Sequence, residues 1–163
     1  NALLFQLGWF ACVLGAHYPA LLGLAAACLV THLIWLAKPG ELRLILAVSL
    51  CGWSVDSLLL ALGVFDFAGH PRLLPAWLLL LWPVFACTLR HSLHWTANPW
   101  WRSSLLGAVG GPLSYWGGVQ LAGARLPLGT WPSLLVLAAV WALLLPVLHR
   151  LGRPTAPACE RTR

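Results

Sequence analysis

Six stretches of roughly transmembrane length dominate this sequence of 163 residues, divided by short segments where proline, glycine and basic residues collect. A helix crossing the hydrocarbon core of a bilayer needs about 20 mostly apolar residues, with a range of roughly 17–25. The stretches are approximately Ala2–Ala16, Pro19–Ala37, Glu41–Gly63, Leu74–Leu93, Ser103–Leu121 and Trp131–Leu148. An all-α, polytopic membrane bundle of six helices is expected. Residues 1–149 form its transmembrane domain, and residues 150–163 a basic cytoplasmic tail expected to be disordered near anionic lipid.

Composition agrees, with 60% hydrophobic and 9% charged residues, against about 25% charged in soluble domains. The net charge of +6 does not imply a nucleic-acid partner, because the basic residues crowd into loops and the tail. With both termini cytoplasmic, the inside holds Lys38, Arg43, Arg90, Arg102, Arg150, Arg153, Arg161 and Arg163, and the outside only Arg72 and Arg125. That asymmetry predicts an N-in, C-in bundle in the inner membrane. Trp35, Trp95, Trp100 and Trp101 then belong to the inner interface, and Trp77 and Trp131 to the outer. Trp9, Trp53, Trp82, Trp116 and Trp141 are too deep for those belts and are expected to fill the core.

Four of the five cysteines (Cys12, Cys28, Cys51, Cys87) lie inside apolar stretches and the fifth, Cys159, in the tail, which does not suit a disulfide framework. No basic run precedes the first stretch, which is therefore expected to be a retained helix.

The third stretch holds a carboxylate, Asp56, within a membrane-length apolar run. Burying a charge in hydrocarbon costs from roughly 3 to more than 10 kcal/mol, so such a residue marks a functional site or a polar helix contact. At helical spacing Ser49, Gly52 and Asp56 share a face. His17 at the end of helix 1, and Tyr115 and Gln120 on helix 5, are expected at similar depth, making a polar pocket in the outer half. Gly107, Gly111, Ser114 or Tyr115, and Gly118 form a small-residue face on helix 5, expected to dock on the Asp56 face, with Pro112 kinking or breaking that helix. Asn1 and Gln6 are expected to bond across the bundle.

A second polar set is placed in the inner half: Cys28 and His32 on helix 2, and Cys87, His91 and His94 on one face of helix 4. Such spacings can hold a metal or haem, but the histidines are few and no cofactor is expected. No phosphate-binding glycine loop, nucleophile triad or paired carboxylate is present.

Asn1, Phe5-Gln6, Trp9-Phe10, Gly52 with Asp56, Pro75-Ala76-Trp77-Leu78, Leu81-Trp82, Phe85, and Gly110-Gly111-Pro112 with Tyr115 run through the chain to about Leu148. In these motifs it resembles a family of small, Trp-rich bacterial inner-membrane proteins catalogued as a domain of unknown function. The resemblance implies location and span count rather than chemistry. Taken together, the residues lead to binding or transport of a small or lipid-like molecule around Asp56, with membrane lipids as surroundings. Two alternatives stand beside it: a membrane enzyme of lipid metabolism using His32, His91 and His94, and a helper subunit whose small-residue faces dock a larger partner or a second copy.

Overall fold

The computed structural model describes residues 1–67 and 73–152, and both parts are dominated by helix. In chain order the helices are α1 (Ala2–Leu14), α2 (Leu21–Trp35), α3 (Glu41–Ala61), α4 (Ala76–Ala86), α5 (Trp100–Ala122) and α6 (Thr130–Leu151). A single 3-10 turn, His94–Thr96, precedes α5. Two strands, β1 (Asp66–Phe67) and β2 (Ala124–Arg125), pair antiparallel with Asp66 opposite Arg125. Of the described helices, α3 and α6 are long and apolar enough to cross a membrane. The residues Arg72, Arg153, Arg161 and Arg163 of the charge count, Cys159, and all but the first three residues of the expected tail lie outside the described residues. Those three are Arg150 and Leu151, which complete α6, and Gly152, which caps it.

Successive helices alternate in direction, so the loops gather at two ends. At one end the Lys38 ammonium donates to the Arg90 carbonyl at 2.8 Å, the Arg90 guanidinium donates to the Pro39 carbonyl at 2.8 Å, and Thr96 pairs with His149 at 2.8 Å. At the other, β1 meets β2, and the Ser133 hydroxyl donates to the Val64 carbonyl at 2.8 Å. Large apolar side chains are widely exposed, and several polar ones are buried. On α3, Ser49, Gly52 and Asp56 are buried while Leu42, Leu46, Leu50 and Leu58 are each more than half exposed.

Helix α4 stops well short of the expected Leu74–Leu93, for a reason hydropathy does not carry. Beyond Ala86 the chain coils on i→i−3 bonds, Thr88 N–H to Phe85 and Leu89 N–H to Ala86. The Thr88 hydroxyl also donates to Phe85 and the Cys87 thiol to Pro83. These side chains compete with the α-helical ladder for the same carbonyls. Pro83 has no N–H for the Leu79 carbonyl, and the Trp53 indole on α3 donates to that carbonyl instead, at 2.9 Å.

Three packing expectations are corrected. The glycines of the small-residue face of α5 dock on α6, and from that face Tyr115 reaches Asp56 of α3: a Cβ at Gly107 would run into the Trp141 carbonyl, and one at Gly111 into the Trp141 ring. Gly52 makes room for the Trp82 ring of α4. Helix α5 neither breaks nor ends at Pro112, which is buried within a continuous helix. Among the tryptophans, Trp77, expected at the outer interface, is buried within the bundle, and Trp116, expected in the core, is 46% exposed.

Candidate functional site

Asp56 is fully buried on α3, and each of its carboxylate oxygens accepts one bond from an aromatic side chain. The Trp82 indole of α4 donates to Oδ2 at 2.7 Å, and the Tyr115 hydroxyl of α5 donates to Oδ1. Among the described residues it has no cationic partner. Charge-assisted bonds of this kind are about twice as strong as neutral ones, and here they hold three helices in register. Gly52, one turn before Asp56, lets Trp82 lie against α3 closely enough to reach the carboxylate.

The rings so held are the wall of a cavity of about 60 Å³ enclosed by Trp9, Phe65, Trp77, Trp82, Tyr115 and Trp141. Trp82 and Trp141 stack with centroids 5.5 Å apart and planes 5° from parallel, and Phe85 stands edge-on to both. Asp56 itself is not in the wall, so its relation to the cavity is through Trp82 and Tyr115. Beside the cavity, a groove of about 380 Å³ runs between α1 and the α5–α6 pair, past Gln6, Gly110 and Leu113. Trp9 and Ser114 belong to both spaces, and the Trp9 indole donates to the Ser114 hydroxyl at 2.9 Å where the two meet.

Of the residues expected around Asp56, the structure joins Tyr115 to it directly. Ser49 lies on the same buried face, its hydroxyl without a hydrogen-bond partner among the described residues. Gly52 and Gly111 act by admitting the Trp82 and Trp141 rings, and Pro112 is packed beside Gly111. His17 and Gln120 do not join the set. Both are exposed, His17 beside Gly123 in the turn before β2. Gln6 is also exposed, whereas Asn1 bonds across the bundle as expected.

The inner-half histidines are rearranged around a residue that sequence reasoning missed, Glu41. Its side chain is wholly buried at the start of α3, where it accepts from the Lys38 backbone N–H at 2.6 Å. His32 Nε2 lies 2.8 Å from its Oε1, and His91 Nε2 lies 2.9 Å from Oε1 and 3.1 Å from Oε2. His94 is exposed and apart from this group, since the chain beyond α4 is not the helix that would align it with His91. Cys28 and Cys87 instead border a narrow crevice with Asn1 and His32. Glu41 was overlooked because a glutamate after Lys-Pro-Gly reads as a helix start at the membrane edge. The one available signal is that such a glutamate sits beside the turn that brings His32 back towards it.

A family model described as "Protein of unknown function (DUF2878)" matches residues 1–147. No curated protein and no solved structure matches the chain.

Proposed function

Because the chain belongs to the DUF2878 family of proteins of unknown function, we propose a function from the geometry: a six-span, N-in/C-in inner-membrane protein that binds, and moves or presents, a small lipid-like molecule in the aromatic cavity beside Asp56. The membrane placement is supported by the apolar surface, since many exposed leucines outside, with Asp56, Glu41 and His32 buried inside, suit hydrocarbon better than water. Six alternating spans are supported by the gathering of loops at two ends, although α1, α2 and α4 are shorter than a full bilayer crossing.

The observation that carries the binding assignment is the aromatic enclosure itself. Close packing normally leaves few voids in a protein interior, yet here two stacked tryptophans, a tyrosine and further rings surround open volume and border a groove on the apolar exterior. A buried carboxylate without a cationic partner, behind ring faces that are themselves electron-rich, favours an occupant with a planar or positively charged group. The groove suits an attached apolar chain.

Gly118 provides the test. It lines the cavity, and a Cβ there would meet only Trp77, at 3.8 Å, so a larger side chain can fill the space without disturbing α5–α6 packing. Wild type and Gly118→Leu are purified in mild detergent, and non-covalently bound molecules are identified by native mass spectrometry and solvent extraction. A specific lipid-like adduct on wild type, lost from a Gly118→Leu protein of unchanged thermal stability, supports the assignment. Its failure would be a wild type that carries only the lipids, in the same proportions, that the filled variant carries.

A further inference from the structure

We propose that His32, Glu41 and His91 form a binding site for one divalent first-row transition-metal ion, independent of the aromatic cavity. The three come from α2, the start of α3 and the coil after α4, and one ligand atom from each lies within 4.8 Å of the others. Ligands 2.0–2.1 Å from a tetrahedral ion stand about 3.3 Å from one another. The present nitrogen–oxygen separations of 2.8 and 2.9 Å fall short of that by only about half an ångström, so rotamer adjustments admit an ion. The two-nitrogen, one-carboxylate donor set suits zinc or ferrous iron rather than calcium or magnesium, which take oxygen ligands. Three protein ligands leave a coordination position for water or substrate.

The surroundings are those of a supported site. Glu41 and His32 are 0% and 1% exposed, so without an ion the carboxylate is buried against two imidazoles and the Lys38 backbone N–H. Behind His32, the Asn1 amide nitrogen lies 3.0 Å from Nδ1; it also donates to the Cys87 carbonyl at 3.1 Å, and its oxygen accepts from Ser92 at 2.9 Å. In that arrangement Asn1 donates to Nδ1, so His32 carries its proton on Nε2 and gives it to Glu41. An ion needs the Nε2 lone pair. On His32 the proton therefore moves from Nε2 to Nδ1, and the Asn1 amide turns so that its oxygen accepts it; His91, whose Nε2 also faces Glu41, likewise carries its proton on Nδ1 when it ligates, so neither histidine gains or loses a net proton. Asn1 is thus a positioning residue for the metal-bound tautomer.

The probes are Zn²⁺ and Co²⁺ on detergent-purified protein stripped with a chelator, with metal content also measured as isolated. The expected result is saturable uptake of about one ion per chain, with visible d–d bands for Co²⁺ and no intense thiolate charge-transfer band. His91→Ala removes the most exposed ligand and should weaken uptake more than about 100-fold, while Asn1→Ala should weaken it about 10- to 100-fold. Glu41→Gln should abolish the bands; if that variant does not fold, His91→Ala carries the comparison. Absence of saturable uptake by wild type, a thiolate band reporting Cys28 or Cys87, or a His91→Ala protein that binds as wild type does would each overturn the site, leaving the cluster as a hydrogen-bonded clamp.

Discussion

Trp82 donates its indole N–H to Asp56 across 2.7 Å, and this one bond joins the buried carboxylate of α3 to the ring that stacks on Trp141 of α6. Removing the carboxylate leaves two buried donors, on Trp82 and Tyr115, without an acceptor. Unpaired buried groups cost about 1–3 kcal/mol each, partly offset by relief of a buried charge. Asp56→Ala should therefore lose about 2–4 kcal/mol. Asp56→Asn, whose carbonyl still accepts one of the two bonds, should lose less. Thermal unfolding in detergent, followed by tryptophan fluorescence, ranks the two; an alanine variant as stable as wild type would remove the carboxylate from the architecture.

The glycines of the bundle should separate sharply by what they face. A Cβ at Gly52 enters the Trp82 ring, whereas one at Gly110 meets nothing within 4 Å. Gly52→Ala should cost about 1–3 kcal/mol through overpacking, and Gly110→Ala should be neutral or stabilising by up to about 1 kcal/mol through helix propensity. Adding Trp82→Leu to Gly52→Ala should recover part of the packing loss.

Trp53 and Pro83 form a compensating pair. Trp53→Phe leaves the Leu79 carbonyl without the indole donor, and Pro83 supplies no intrahelical N–H to replace it. The expected cost is about 1–3 kcal/mol. In Trp53→Phe/Pro83→Ala the alanine N–H restores the ladder, so the double variant should be more stable than the sum of the singles, by the test of a double-mutant cycle.

Topology is tested by labelling. Tyr18 is 66% exposed between α1 and α2, and Arg102 is exposed at the start of α5. With cytoplasmic termini, a membrane-impermeant maleimide should modify Tyr18→Cys in intact cells, and Arg102→Cys only after permeabilisation. The reverse pattern inverts the bundle, and labelling of both from outside removes the alternating spans.

Much of the helical path was legible because α3 and α6 are long, mostly apolar runs bounded by Pro and Gly, and hydropathy marks such runs well. The Asp56–Tyr115 pair was legible too, since depth along each helix places both residues at one level. Trp82 was not recognised as the second partner, because that depends on Gly52 admitting its ring, a contact between helices that neither sequence stretch encodes. The end of α4 was hidden in the side chains of Cys87 and Thr88, whose bonds to preceding carbonyls leave the apolar pattern unchanged. Glu41 and His91 are 50 residues apart, and local spacing says nothing about a contact of that range.

The short β1–β2 pairing bears on how any occupant would exchange. Phe67 of β1 and Ala124 of β2 both line the aromatic cavity, so the paired loops close it at that end of the bundle. For the proposed lipid-like occupant in a bilayer, exchange would then be sideways, through the groove at Trp9 and Ser114. Occupancy would follow the mole fraction of the molecule among the bilayer lipids, its reservoir, rather than its aqueous concentration, and exchange would slow as acyl chains stiffen. On the proposed function, detergent, which dilutes that reservoir, would drain the cavity in proportion to how thoroughly the protein is washed.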